Sequence, residues 1–488
     1  MTRSGCGVVA AVLAVLALGP GDVNAAINDT ELISGANLAL DRPASGPASS
    51  SVPSADGRFV AFASSGDNLP GANGHTQVYV RDALTNTTTL VSSVSGTDTP
   101  GNDDSEEPSI SADGRFVAFA SSSGNLPGGG TGRPQVYVHD TRTGATVLVS
   151  AADGTYTPGA GESWGPSISA DGRHVAFVSI AANLPGSNGY AQVYVRDTRT
   201  KATTLVSGKG GATTAGNDDS DDPSISADGR SVAFRSSASD LPGADGDNRQ
   251  VFVRDTRTRA TTLVSAEDGT TAAGNDDSDG PSISADGRSV AFSSRASNLP
   301  GGDGATGQVY VRDTQAKVTM LVSARNGSAT AGNAESGEPS ISADGRRVAF
   351  ASAAGNLPSG GKGLFQVYVR DLGTQATVLA SAAGGSRTAG NGHSAQSRIT
   401  ADGRYVTFTS LATNLPHANG VAQVYRRDVL GAAPRNIARP LIAGSAAVGG
   451  TLTCSIGEWS PIDPPVAFAV RWQRDDIDIP GADQTAYA

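Results

Sequence analysis

Hydrophobic and polar residues alternate along this chain in short runs of period two, and no stretch competes at the helical period of 3.6. In one representative segment, Pro281–Ser284, Ser289–Ser294, Gln308–Asp313 and Thr319–Ser323 each read as a strand. Val290 and Phe292 supply the alternating apolar positions of the second. Asp286-Gly287 separates the first two runs. That dipeptide between strands signals a hairpin, and a primed turn there would need positive φ at both central residues.

The same segment then recurs. Ala-Asp-Gly-Arg occurs seven times, with its aspartate at Asp56, Asp113, Asp171, Asp228, Asp286, Asp344 and Asp402, at intervals of 57 or 58 residues. Around it runs one consensus: P-S-I-S-A-D-G-R-x-V-A-F, a loop with N-L-P-G, Q-V-Y-V-R-D-T, and A-T-T-L-V-S. Near-identical units at a fixed period imply an array in which neighbours bury each other's faces. Four strands per unit is the pattern of a β-propeller.

The chain ends predict closure. Thr30–Ser34 matches the fourth-strand string, which the last repeat lacks after Gln423–Asp428. The N-terminal strand should therefore complete the seventh blade and remove an open edge. An open solenoid is the alternative. The predicted fold class is all-β: a seven-bladed propeller of four-stranded blades, with a partial immunoglobulin-like β-sandwich segment at the C-terminus.

The strings P-S-I-S-A-D-G-R-x-V-A-F and Q-V-Y-V-R-D resemble the TolB-like, WD-repeat-like propeller repeats of exported bacterial proteins, across residues 26–432. The resemblance implies a periplasmic or secreted interaction surface.

Composition changes the picture in two ways. With 62 Gly and 25 Pro in 488 residues, turns are dense, as short strands require. A net charge of −11 and a pI near 4.9 argue against nucleic acid as a partner, because phosphate binding needs a basic surface. Residues 1–25 read as a secretory signal, with Arg3, the apolar run Val8–Leu18, and small residues at Val23–Ala25 before Ala26. That run is too short to span a bilayer, so no membrane span is expected after cleavage. The expected localisation is secreted or periplasmic, in the cell envelope. Residues 433–440 read as a linker. Residues 441–488, with Cys454 and Trp472, read as a truncated immunoglobulin-like module whose second cysteine is missing.

Two aromatic slots recur in every repeat. Phe62, Phe119, Phe177, Phe234, Phe292, Phe350 and Phe408 form one. Tyr79, Tyr137, Tyr194, Phe252, Tyr310, Tyr368 and Tyr425 form the other. Periodic aromatics in propellers belong to the inter-blade core. Tyr156, Trp164, Tyr190 and Phe365 fall outside the slots and are candidates for ligand contact.

Meander topology sorts the turns onto two faces. The Ala-Asp-Gly-Arg and Arg-Asp turns make one face basic, with Arg115, Arg173, Arg199, Arg257, Arg259 and Lys317. The other face is acidic. Six windows precede the first strands: Asn102–Glu107, Ala160–Gly165, Asn217–Asp222, Asn275–Gly280, Asn333–Glu338 and Asn391–Gln396. They contain no Lys or Arg, and serine recurs at the fourth position. The candidate binding residues are Asp103, Asp104, Glu106, Glu107, Glu162, Trp164, Asp218, Asp219, Asp221, Asp222, Asp276, Asp277, Asp279, Glu335 and Glu338. A period longer than that of a WD blade places the surplus in loops, expected on this face.

Converging carboxylates repel unless something offsets them. Oxygen ligands at this density suit calcium, for which Asp277 and Asp279 are the candidate ligands. The competing reading is solvated loops whose side chains cap their own backbones. No other cofactor is expected. Gly161-Glu162-Ser163-Trp164-Gly165 matches G-x-S-x-G, but it lacks the strand-to-helix context of a nucleophile elbow. No catalytic residues are assigned. The expected function is a non-catalytic binding or scaffold module whose acidic face meets a protein or polysaccharide of the cell envelope. The alternatives are an enzyme acting on a carbohydrate polymer at the channel mouth and a calcium-stabilised structural module.

Overall fold

The computed structural model describes residues 30–37, 42–130, 132–246, 248–360, 363–384 and 386–430, together with the backbone of short strands outside that range. Residues 28–429 form one compact unit. It contains seven four-stranded antiparallel sheets, each a blade. In blade 5 the strands are Ser278–Ile283, Ser289–Ser294, Gln308–Asp313 and Val318–Leu321, paired in that order. The first strands of neighbouring blades contact one another around the ring, from Ala48–Pro53 in blade 1 to Ser394–Ile399 in blade 7 and back.

Blade 7 takes its outermost strand from the N-terminal side. Thr30–Leu32 pairs antiparallel with Gln423–Asp428, placing Leu32 opposite Tyr425. Ile33 N donates to Val424 O at 2.9 Å, and Ser34 Oγ to Gln423 Oε1 at 2.5 Å. The wheel is closed as expected.

The aromatic slots are core. Each blade stacks its phenylalanine on the ring opposite, as in Phe292 and Tyr310 at 5.7 Å. Phe292 and Tyr310 are fully buried. The hydroxyls of Tyr137, Tyr194, Tyr310, Tyr368 and Tyr425 are buried with no hydrogen-bond partner. Burial pushes the Tyr368 hydroxyl up to about 12.

Two local expectations need correction. First strands begin about three residues earlier than the apolar run suggests, because each continues through a β-bulge: the register shifts between Asp279 and Ser282. The Asp-Gly hairpin takes positive φ only at glycine, as at Gly287 (φ 75°). Asp286 instead accepts from Ser284 Oγ at 2.6 Å and Arg288 N at 3.0 Å, capping its own turn.

The surplus chain is structural. From each outer strand the chain makes a narrow excursion, bridged at Ser93–Pro100, Ala151–Pro158 and their equivalents. Its tip reaches the next blade's last turn, where Gly96 N donates to Gly144 O at 2.7 Å. We call these excursions straps. The Arg-Asp arginines hold them. Arg254, 2% exposed, donates to Gly208 O at 2.9 Å, to Ala212 O at 2.7 Å and to Thr261 Oγ1 at 2.7 Å. In the 2→3 loops, the N-L-P-G leucines plug the core, as at Leu299. The basic face is correspondingly less open than its sequence implies. Its Ala-Asp-Gly-Arg arginines pair with third-strand aspartates, from Arg58–Asp82 to Arg404–Asp428, at 2.6 to 3.1 Å.

A second unit groups residues 1–27 with 430–488. Its described strands pair Ser4–Val9 with Ala469–Arg474, Asn436–Ala438 with Glu458–Trp459, and Ile442–Gly444 with Leu452–Cys454. The cleavage region and most of the linker and the immunoglobulin-like segment lie outside the described residues.

Candidate functional site

The acidic windows divide into positions that build the wheel and positions that face its mouth. At the first position asparagine caps a neighbouring turn, as when Asn275 Oδ1 accepts from Ser297 N at 2.8 Å. At the second, Asp103, Asp218 and Asp276 each accept from the following backbone N–H at 2.7 to 2.8 Å. The third position reaches back to the preceding blade. Asp104 accepts from Thr76 N, Asp219 from Ala191 N, Asp277 from Arg249 N and Glu335 from Gly307 N, at 2.8 to 3.1 Å. For Glu162 the residue in the equivalent place is Pro134, which has no N–H to donate. The recurrent serine at the fourth position is buried and bonds a second-strand serine, as Ser278 does Ser294 at 2.9 Å. Ser163 does the same with Ser179, so the G-x-S-x-G serine is a sheet residue.

The fifth and sixth positions lie on the innermost strands, at the bulge. Here stand Glu106, Glu107, Trp164, Asp221, Asp222, Asp279 and Glu338. The sixth position adopts positive φ in every blade: Ser50, Glu107, Gly165, Asp222, Gly280, Glu338 and Gln396, at 50° to 60°. Where the side chain is long enough, it accepts from the next blade's sixth-position N–H. Glu107 accepts from Gly165 N at 2.7 Å, Glu338 from Gln396 N at 2.5 Å and Gln396 from Ser50 N at 3.1 Å. Below them the inner strands join through serines, as Ser282 Oγ accepts from Ile341 N at 3.1 Å. In blade 7, Arg398 replaces this serine. Its neighbour Pro53 has no N–H to satisfy, so the arginine is free to face the lumen.

Arginines, drawn from outside the windows, offset much of the charge. Arg235 takes a second-strand position that is alanine or serine in most blades. Its guanidinium grips Asp221, with Nη2–Oδ2 at 2.8 Å, and donates to Asp279 at 3.0 Å. Arg249 donates to Asp277 at 3.0 Å and lies 3.6 Å from Asp279. Arg295 donates to Glu335 at 3.0 Å. The two proposed calcium ligands, Asp277 and Asp279, are thus both met by guanidinium donors.

The titration directions follow. Burial pulls Asp277 upward, but the Arg249 backbone N–H and guanidinium outweigh it and hold its carboxyl low. Asp222 goes the other way. Desolvation raises it, with Asp221 and Asp279 adding to the effect against Arg235 and Arg398. Glu106 is raised by desolvation and then by Asp104 and Glu107. Arg398 is accessible along the lumen yet surrounded by protein on the scale of its charge. That desolvation lowers it, against the pull of Glu338 and Asp222.

A cleft of about 440 Å³ opens over blades 4 to 7 on this face. Arg249, Asp279, Arg295, Glu335, Phe365 and His393 line it. Phe365 and His393 form a tilted ring pair at 6.2 Å. No window residue pointed to Arg235, Arg249 or Arg295. The one signal was substitution at a repeat position otherwise small or neutral. Of the other aromatics, Trp164 is half-buried opposite Val178 and Tyr190 is exposed. Tyr156 lies on a strap under Lys201 Nζ at 4.1 Å, away from the windows.

No protein-family model matches the chain, and no curated protein matches it. Solved structures do match, and they include TolB proteins and other propellers. An oligogalacturonate lyase solved in complex with manganese shares 15% identity at a TM-score of 0.50, covering 83% of this chain and 98% of that one. TolB from Acinetobacter baumannii shares 16% at a TM-score of 0.38, covering 68% of this chain and 63% of that one, under two thirds of its length. A prolyl endopeptidase shares 12% at 0.47, covering 91% and 55%. At such identities the likeness is one of fold, and it spans enzymes and TolB alike.

Proposed function

We propose that this chain is an exported binding module of the cell envelope, with no catalytic role, that engages a protein or polysaccharide through its acidic mouth. The leader-like residues 1–25 and the TolB-like repeats support export. One observation carries the rest: bulges on the innermost strands hold Glu106, Glu107, Asp222 and Glu338 exposed at the mouth, with Glu107 and Glu338 fixed there by a backbone N–H of the next blade. A side chain held on a rigid strand at a fixed φ is preorganised for contact.

A second reading is favoured by the cleft, where acids, His393 and Phe365 share one cavity as a carbohydrate-acting enzyme would need. Against it, Arg249 and Arg295 pair with the cleft acids Asp277, Asp279 and Glu335, and a general acid needs a raised pKa, the reverse of Asp277.

The test is capture of partners from envelope extract by the full chain, by a Glu107→Gln/Asp222→Asn/Glu338→Gln variant and by an Arg199→Gln/Arg257→Gln control on the opposite face. The mouth variant should lose the proteins or polysaccharide that the control retains. Equal recovery by all three contradicts the reading.

A further inference from the structure

At the start of blade 2 the acidic face has no arginine pair among the described residues. Asp103, Asp104, Glu106 and Glu107 stand together at the start of blade 2, and among the described ion pairs the one cationic partner within 4 Å of any of them is His75. Elsewhere on the face guanidinium groups do the neutralising, at Asp221, Asp277, Asp279 and Glu335.

His75 Nδ1 lies 3.7 Å from Asp103 Oδ1 and 3.7 Å from Asp104 Oδ1, too far to hydrogen-bond either. The three donor atoms lie within 4.8 Å of one another, and among the described residues no other group of three such donors meets that condition. We propose that His75, Asp103 and Asp104 bind a divalent transition-metal ion of the zinc class. One imidazole nitrogen with two carboxylate oxygens suits zinc, whereas calcium takes oxygen ligands throughout.

The carboxylates are already placed. Thr76 N holds Asp104 Oδ1 at 2.8 Å, and Asp104 N holds Asp103 Oδ1 at 2.8 Å. His75 N is tied to Asn73 Oδ1 at 3.2 Å. An ion about 2.1 Å from each donor needs donor separations of roughly 3–3.5 Å, so a small closing of half-exposed side chains forms the site. Water completes the coordination on the open side. The histidine is peculiar to blade 1: the equivalent residues are Arg133, Tyr190, Asn248, Thr306, Leu364 and Val421.

Isothermal titration of the purified full chain with zinc chloride, and separately with calcium chloride, tests this. Zinc should show a saturable site that weakens at least tenfold in His75→Ala and in Asp103→Asn. Asp276→Asn, the matching position beside arginines in blade 5, should leave it unchanged. Calcium should show no heat that depends on His75. Identical zinc isotherms in all variants, or no saturable zinc heat, overturn the proposal. NMR of the unsubstituted chain reads the site without any mutation: the His75 ring signals should shift or broaden on adding zinc, and unmoved signals contradict it.

Discussion

Leu32 sits opposite Tyr425 in the sheet of blade 7, so the first described strand of the propeller and the last third-strand belong to one hydrogen-bonded ladder. Leu32 also packs in the same buried cluster as Phe408. Closure is therefore a matter of core packing as well as of backbone pairing.

Ile33, 1% exposed, is the most buried apolar side chain of that closing segment. Ile33→Ala should cost about 2–5 kcal/mol, the range for a large-to-small change in a rigid core. Urea denaturation with unchanged m checks it. A cost below about 1 kcal/mol would mean that the segment is not packed.

The two aromatic slots should respond differently to deletion. Phe292→Ala opens a cavity and should cost about 3–5 kcal/mol. Tyr310→Phe removes a hydroxyl that has no partner, and should be neutral or stabilising. Blade 4 already carries Phe252 in this place, stacked on Phe234 at 5.9 Å. Thermal melts of both variants decide the matter.

The strap arginines have one natural exception. In blade 2 the residue is His139, which keeps the bond to Thr146 Oγ1 at 2.9 Å but has no guanidinium to reach the strap carbonyls. His139→Arg should restore those bonds and raise stability by about 1–2 kcal/mol. An unchanged or lowered melting temperature would count against the strap account.

Acid should act in opposite senses on the two faces. On the basic face, the Arg115 guanidinium holds Asp140 far below the usual carboxylate range, and Arg173 does the same for Asp197. A depressed native pKa gives stability that is present above the unfolded value and lost as pH falls through the native one. Stability should therefore fall on acidification below about pH 4, and less steeply in Asp140→Asn. Asp222 is raised, so its charge burdens the native state at neutral pH, and that burden is relieved as pH falls through its native pKa. Asp222→Asn should then be more stable at pH 7, with an advantage that shrinks on acidification. Chemical denaturation across pH reads both slopes.

The wheel was legible because every blade repeats the same slots: Phe292 and Tyr310 could be named as core before any coordinates. The acidic windows were harder. Asp276, Asp277 and Asp279 look alike in sequence, yet one caps its own turn, one caps blade 4 and one faces the mouth. Residue type does not separate these roles; the bulge does. Arg235 and Arg398 were invisible for another reason. Each is a single departure from the repeat, on a strand rather than in the acidic loops; sheet register sets Arg235 opposite Asp221, and the packing of the next blade brings it to Asp279. The straps were misplaced because their small polar residues carry no apolar pattern, while the arginines that hold them looked like surface charge.

Amide hydrogen exchange at Ile33 tests closure most directly, because its N–H donates to Val424 O at 2.9 Å and nothing local in sequence would protect it. Ile33 should exchange as slowly as the core strand amides of Gln308–Asp313. Exchange at the rate of a free tail would show an unlatched ring, and the separation into a basic and an acidic face would fall with it.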